Sequence, residues 1–214
     1  MRRAAALLIA LAALAAGIGG SAAGAPAKAL TCPKVKSPKP RTESRKKPKS
    51  KLDAHKAWTA TVVTSCGTFT IKLAVKTSPH TTASFVSLAR SHFFDNTIFH
   101  RVVPGFVIQG GDPTATGTGG PGYTVVDTPA ASTKYPLGTV AMAKAGNDPA
   151  GLSGSQFFVV TGTTYSLQPL YAVLGHVAKG LPVAFAIGRY GDINDPYGKP
   201  TRVVVIRRIT ISSS

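Results

Sequence analysis

Acidic residues are scarce in this sequence. Its 214 residues include 25 Lys and Arg but only 8 Asp and Glu, which gives a formal net charge of +17 at pH 7. Glu43 is the single glutamate, so catalysis by a pair of carboxylates would have to use two aspartates. Most of the aspartates stand beside Gly, Pro or Asn, as turn residues do. The composition therefore argues against a hydrolase with paired carboxylates.

Cysteines and metal-binding patterns are also sparse. The chain has 2 Cys and no CxxC pair, which argues against a disulfide-rich scaffold and against a structural zinc site. Its 5 His form no HExxH motif. Residues 151–155 do not match G-x-S-x-G, and the Gly-rich residues 117–120 lack the Lys and the following helix of a phosphate-binding loop. We expect no metal and no cofactor.

The N-terminus has the pattern of a secretory signal. Two Arg follow Met1, an apolar run rich in Ala and Leu covers residues 4–16, and residues 27–29 fit an A-x-A cleavage site, with 21–23 as a second candidate. We predict a signal peptide at residues 1–29 and an exported protein that is extracellular, in the cell wall or membrane-associated. The alternative is an uncleaved anchor, although the Ala and Gly content makes the run weakly hydrophobic for a spanning helix.

The two cysteines, Cys32 and Cys66, would reach an oxidising compartment if the protein is exported. An even number of Cys in such a compartment favours a bridge. We therefore predict a Cys32–Cys66 disulfide that joins the N-terminal segment to the rest of the chain. The alternative is two free, buried thiols.

Residues 30–56 are expected to form a basic linker. Between Lys34 and Lys56 there are ten basic and two acidic residues, with almost no large apolar side chains. Such a segment cannot bury a core and should be extended or disordered. It is either a solvated spacer or a tether that contacts an anionic cell surface through residues 33–56. No aromatic residue precedes Trp58 as a platform for bases, so no nucleic acid partner is expected.

The rest of the chain has the pattern of short strands separated by turns. β-branched and alternating residues predict strands at 59–64, 68–75, 98–102, 106–109, 139–143, 157–160, 173–177 and 203–211. Two helices are expected, one capped by Thr81 or Thr82 and a short one at 183–187. The pattern predicts one mainly β domain at residues 57–214, a closed antiparallel eight-stranded barrel capped by two helices.

Residues 99–112, FHRVVPGFVIQGGD, are the segment that points to a site. Strand alternation places Phe99 and Arg101 on one face, and His100 and Val102 on the other; in the same way it separates residues 106 and 108 from residues 107 and 109. An Arg and a Gln beside exposed aromatic residues form an apolar floor with a few polar donors, as in a binding site. Core strands with one Arg that reaches solvent fit the spacing equally well.

This segment resembles the signature of the cyclophilin family of peptidyl-prolyl cis-trans isomerases. Three further segments resemble family motifs and stand in the family's order, AMAKAG at 141–146, GSQFFV at 154–159 and YAVLGHV at 171–177. The similarity covers about residues 58–211. It implies a cyclophilin-like barrel that acts as a monomer on Pro-containing polypeptides and accelerates X–Pro rotation in exported or cell-surface proteins.

The resemblance also implies the residues of the site. Arg101 matches the family's catalytic arginine, and Gln109 matches the glutamine that orders this arginine and the substrate backbone. The walls of the proline pocket and the strand that pairs with the peptide are matched by other motif residues. The expected substrate-binding residues are His100, Phe106, Val107, Gln109, Ala143, Lys144, Ala145, Gln156, Phe158, Leu167 and Tyr171.

The chain departs from common family choices at four positions. Many members have Met at Val107, Asn at Lys144 and His at Tyr171, and some have Trp at Ser166. The differences at Tyr171 and Ser166 leave the expected catalytic set intact but put tight binding of cyclosporin-type inhibitors in doubt. The alternative function is a module that binds Pro-containing segments with little turnover, against which the intact Arg and Gln argue.

Overall fold

The computed structural model describes residues 30–164 and 166–214. The predicted signal peptide and both candidate cleavage sites lie outside these residues. No helix within the described ranges is long and apolar enough to cross a membrane.

The described residues fold mainly into short antiparallel strands. In chain order these are β1 (Trp58–Thr64), β2 (Gly67–Leu73), β3 (Thr97–Val103), β4 (Val107–Asp112), β5 (Val125–Val126), β6 (Thr139–Met142), β7 (Leu152–Ser153), β8 (Phe157–Val160), β9 (Val173–Lys179) and β10 (Val205–Ser213). Eight of them close a barrel in the order β1–β10–β3–β4–β8–β6–β9–β2, with β2 beside β1. The predicted eight-stranded barrel is thus confirmed.

The strands close around an apolar interior because their buried residues alternate. In β2 the side chains of Phe69, Ile71 and Leu73 are buried, while the residues between them face outward. Aromatic rings fill the space between barrel and helix; the rings of Phe85 and Phe157, for example, meet edge to face with centroids 5.7 Å apart. The interior is therefore packed with side chains, and a site has to form on the outer surface.

Two helices cover the barrel, α1 (Pro79–Arg90) and α2 (Leu181–Gly188). The predicted cap of α1 at Thr81 or Thr82 is wrong, since both are already helical and the N-cap is Ser78. The reason is Pro79, whose fixed φ and missing N–H suit the first helical position. The hydroxyl of Thr82 donates to the carbonyl oxygen of Ser78 at 2.8 Å.

A small second sheet was not predicted from the sequence. It pairs β5 with β7 through Val125↔Ser153 and Val126↔Leu152. Strands of two residues are too short to show a period of two. Both follow long loops, and they tie the Gly-rich loop region to the segment before β8.

Residues 30–56, called the N-terminal strap below, contain no helix or strand but are not a free linker. The predicted Cys32–Cys66 disulfide is present and fixes one end of the strap to the turn between β1 and β2. Further along, Arg41 donates through Nη2 to the carbonyl oxygen of Phe93 at 2.6 Å, and the Arg45 guanidinium lies 5.7 Å from the centre of the Phe93 ring. The structure differs from the disordered alternative of this prediction because the disulfide, guanidinium groups, backbone hydrogen bonds and the packing of Leu52 against the core hold the strap.

Candidate active site

A bulge in β3 places Arg101 on the outer surface. Phe99 pairs with Gly110 and Arg101 pairs with Gln109, so His100 is an extra residue in β3. The extra residue breaks the alternation, and Phe99 and Val102 are both buried in the core. The prediction that Phe99 shares a face with Arg101, and His100 with Val102, is therefore wrong.

In β4 the alternation holds over residues 107–109, before a second register shift at Gly111. Ile108 belongs to the core, while Val107 and Gln109 line the same surface cavity as Arg101. Phe106 lines this cavity as well, although strand alternation predicted that it would share a face with Ile108. It stands in the turn before β4, where the period of two does not yet apply.

These side chains surround a cavity of about 260 Å³, called the first cavity below. Its lining is Arg101, Phe106, Val107, Gln109, Ala143, Lys144, Phe158, Leu167 and Tyr171. One wall is apolar, and the Phe158 and Tyr171 rings meet edge to face there with centroids 5.4 Å apart. The structure thus brings together nine of the residues predicted from the sequence.

Arg101 is held on two sides. Its Nε donates to the carbonyl oxygen of Tyr197 at 3.1 Å, and its Nη1 lies 3.5 Å from Oε1 of Gln109. Burial lowers the pKa of the Arg101 guanidinium, with Tyr171 opposing the shift, but an arginine stays protonated at neutral pH. The contact with Tyr197 was missed from the sequence, because it is a backbone contact from a loop 96 residues away.

A chain of amide groups continues from Arg101. Nε2 of Gln109 donates to Oε1 of Gln156 at 3.0 Å. Nε2 of Gln156 in turn donates to the carbonyl oxygens of Gly117 and Gly119, at 2.9 and 3.0 Å. The Gln109 amide is therefore oriented with its oxygen toward the guanidinium.

A second cavity of about 830 Å³ lies beyond Gln109. It shares Gln109, Ala143 and Lys144 with the first cavity, so the two cavities adjoin, and together they are called the groove below. Ala145 and Gln156, both predicted to bind substrate, line the second cavity rather than the first.

His100 lines neither cavity. It lies behind the Gly-rich loop beside Asp112, where burial lowers the pKa of the imidazole and the Asp112 charge opposes that shift. Its predicted contact with substrate stays a prediction.

Asp112 shapes the Gly-rich loop that lines the second cavity, and it was not singled out from the sequence. Its buried carboxylate accepts the N–H groups of Thr114 and Gly117, both at 2.7 Å, and that of Gly119 at 3.1 Å. Burial alone raises the Asp112 pKa, but these bonds and that of the Thr114 hydroxyl bring it below its ordinary value. Within the described residues, no three His, Cys, Asp or Glu side chains are grouped as metal ligands.

Comparison with known proteins identifies the family. A family model described as cyclophilin type peptidyl-prolyl cis-trans isomerase/CLD matches residues 59–211. Peptidyl-prolyl cis-trans isomerase A of Mycobacterium tuberculosis is 41% identical over 174 residues, which cover 72% of this chain and 92% of that protein. Peptidyl-prolyl cis-trans isomerase B of Bacillus subtilis is 45% identical over 108 residues, 50% of this chain and 73% of that protein.

A solved structure agrees with these relatives. The crystal structure of a Cryptosporidium parvum cyclophilin type peptidyl-prolyl cis-trans isomerase, in the presence of the dipeptide Ala-Pro, superposes with a TM-score of 0.64 at 32% identity. The match covers 73% of this chain and 99% of that chain. The resemblance seen in the sequence is confirmed, and this chain belongs to the family of cyclophilin-type peptidyl-prolyl cis-trans isomerases.

Proposed function

We propose that this peptidyl-prolyl cis-trans isomerase rotates X–Pro bonds in the first cavity, with Arg101 as the catalytic residue. The observation that carries the proposal is the meeting of Arg101 and Gln109 at the edge of an apolar cavity of about 260 Å³. A pyrrolidine ring is small and apolar, and the walls formed by Phe106, Val107 and Phe158 match it.

The reaction needs neither a nucleophile nor a proton transfer. Amide resonance opposes rotation of the X–Pro bond with a barrier of about 18–20 kcal/mol. Lowering that barrier requires tighter binding of the twisted amide than of either planar form. The twisted prolyl nitrogen regains a lone pair, to which a guanidinium N–H can donate.

Each part of the groove has a role in this mechanism. The apolar walls hold the prolyl ring, and Arg101 donates to the prolyl nitrogen as the bond twists. Gln109 and the backbone of residues 143–145 hold the flanking peptide while the acyl side turns. The contacts of Arg101 with Gln109 and Tyr197 hold the guanidinium before substrate binds, so little reorganisation is needed.

An exchange experiment tests this function. NMR exchange spectroscopy on an Ala-Pro-containing peptide should show faster cis-trans exchange when catalytic amounts of the oxidised protein are added. The dipeptide Ala-Pro is the one named with the C. parvum structure. Peptide binding without faster exchange would instead support the binding module with little turnover.

We further propose that the protein acts after export, as a monomer. The signal pattern of residues 1–29 and the Cys32–Cys66 disulfide support export, since such bridges persist in oxidising compartments. Cell fractionation with N-terminal sequencing tests it: an extracytoplasmic protein that begins near residue 30 is expected. A cytoplasmic chain that begins at Met1 would refute it.

The positive charge of the strap also supports the proposal that the protein contacts an anionic cell surface. All eight of its lysines from Lys34 to Lys56 are exposed, so their charges are available to a polyanion. Sedimentation with anionic phospholipid vesicles should fall steeply as salt rises. Equal sedimentation with neutral vesicles would support the solvated spacer instead.

A further inference from the structure

A further cavity lies between the end of the N-terminal strap and helix α1. Its volume is about 520 Å³, and it is called the α1 cavity below. It shares no residue with the first or the second cavity. The family model begins at residue 59, so the strap residues and Trp58 that form one side of the cavity lie outside the segment that the family match covers.

Helix α1 supplies one side of this cavity with a single face. The residues concerned are Ala83, Val86, Ser87 and Arg90, whose spacing of three and four positions places them in one row along the helix. Ala83 and Val86 are apolar, and Arg90 is exposed in the last turn. The helix therefore offers an apolar surface that ends in a cation.

The other side of the cavity is apolar as well, because the strap brings Leu52 to the place where Trp58 lies. Leu52 packs against the barrel core, and Nε1 of Trp58 donates to the carbonyl oxygen of Asp53 at 2.9 Å. The Arg90 guanidinium lies 5.4 Å from the centre of the Trp58 ring. An indole ring has an apolar face and one polar atom, and tryptophan is enriched at membrane–water interfaces for that reason.

The segment of the strap beside this cavity carries a dense positive charge. Residues 46–51, KKPKSK, contain four lysines and no acid, and all four lysines are exposed. Glu43 does not compensate them, because its carboxylate forms ion pairs with Arg41 and, at 2.7 Å, with Arg45. A basic run next to an apolar surface is typical of segments that bind anionic membranes.

The two cations that line the cavity have no carboxylate partner. Among the described residues, neither Lys51 nor Arg90 forms an ion pair. Asp53 is the one acid in the lining, and its Oδ1 accepts the backbone N–H of His55 at 2.9 Å. A ligand with a negative charge and an apolar part would therefore match both the cations and the walls of the cavity.

We propose that the α1 cavity is a docking site for an anionic phospholipid, with the phosphate at Lys51 and Arg90 and an acyl chain along Leu52 and Trp58. This site deepens the proposed contact with an anionic cell surface and rests on it. A soluble polyanion would satisfy the lysines but would leave the apolar walls uncovered. The presence of both features in one cavity favours a lipid.

Trp58 fluorescence tests the site, because Trp58 is the single tryptophan of the chain. The oxidised protein, purified after export, is titrated with phosphatidylglycerol vesicles, with the same lipid carrying brominated acyl chains, and with neutral phosphatidylcholine vesicles. Inorganic polyphosphate serves as the soluble polyanion. Bromine quenches indole fluorescence at short range, so the brominated anionic vesicles should quench Trp58, and added salt should weaken the binding.

Substitutions at Ser87 change the charge of the cavity wall in either direction. Ser87→Lys should tighten binding to phosphatidylglycerol vesicles and Ser87→Asp should weaken it, each by about five-fold, as expected for one charge near an anionic membrane. Arg90→Gln should weaken it by a similar factor. Ser132→Lys and Ser132→Asp are the matched controls, since Ser132 is exposed but does not line the cavity, and they should change the affinity much less.

All of these variants should turn over a short Ala-Pro peptide like the wild type, because the α1 cavity is separate from the first cavity. This activity also shows that each variant is folded. Equal vesicle affinities of the wild type, Ser87→Lys and Ser87→Asp would overturn the docking site. Vesicle binding without quenching by the brominated lipid would overturn it as well.

Polyphosphate distinguishes the lipid from a soluble polyanion. If the Ser87 variants change polyphosphate affinity as much as vesicle affinity, and brominated vesicles do not quench Trp58, the cavity binds a soluble polyanion and the lipid proposal is wrong. Absence of wild-type binding to anionic vesicles would contradict the proposed surface contact, and the docking site with it. Failure of the docking site alone would leave vesicle binding intact, so the two failures are distinguishable.

Discussion

Arg101 and Gln109 lie opposite each other on neighbouring strands, and Nη1 of the guanidinium lies 3.5 Å from the side-chain oxygen of Gln109. The pairing exists only because the bulge at His100 shifts the register of β3 by one residue. Without it, alternation would turn Arg101 to the same side as the buried Phe99. The contact between the Arg101 and Gln109 side chains therefore depends on one extra residue in β3, His100.

Removal of the Gln109 side chain should impair turnover without unfolding the barrel. Gln109→Ala takes away the oxygen that faces Arg101 and the link to Gln156. We expect kcat/KM for an Ala-Pro peptide to fall about ten-fold, which equals ~1.4 kcal/mol of transition-state stabilisation. Gln156→Ala, one step further from the guanidinium, should cost less. Equal losses of kcat/KM in the two variants would show that Gln109 acts only through Gln156 and the Gly-rich loop that Gln156 holds.

The disulfide should matter for stability and little for turnover of short peptides. Cys32 and Cys66 are separated by 34 positions in the sequence, and their bridge closes a loop that includes most of the strap. Loss of the cross-link should lower the free energy of unfolding by about 3–4 kcal/mol on the chain-entropy account. Denaturant unfolding of the oxidised protein is to be compared with the reduced protein and with a Cys32→Ser, Cys66→Ser double variant. Unchanged midpoints would contradict the prediction.

His100 should make stability depend on pH. Burial holds its pKa below the ordinary value of ~6.5, so the unfolded chain binds the proton first as the pH falls. His100 thus contributes stability that is present above pH ~6.5 and is lost as the pH falls through its folded-state pKa. We expect the free energy of unfolding to decrease over that window, and less so in His100→Gln.

Denaturant unfolding of the wild type and His100→Gln over a pH series measures this difference. Measurements are kept above about pH 5, where Asp112 stays ionised because its hydrogen bonds outweigh burial and lower its pKa. Identical pH profiles of the two proteins would rule out His100 as the titrating group.

Much of the fold follows from local patterns. The alternation in β2 and the β-branched residues of β1 predicted these two strands. The strands close into a barrel, as the pattern of short strands and turns also predicted. The patterns missed the start of α1, which depends on a single proline, Pro79. They also missed the two-residue strands β5 and β7, which depend on tertiary pairing.

The site could be predicted only in part. Arg101, Gln109 and the apolar wall were found through motif resemblance, because the bulge at His100 leaves no trace in the order of apolar and polar residues. Tyr197 and Glu43 approach the groove from far along the chain. Their contacts are made by backbone groups and ion pairs, for which a single sequence carries no periodic signal.

The central claim is that Arg101 stabilises the twisted amide. The most direct measurement is the cis-trans exchange rate of an Ala-Pro peptide with Arg101→Ala, beside Arg101→Lys, which keeps the charge but not the planar fork. The account predicts a loss of about 100-fold or more for Arg101→Ala, the size expected for one preorganised donor, with an unchanged circular dichroism spectrum and retained peptide binding. Wild-type exchange rates in a folded Arg101→Ala protein would contradict it.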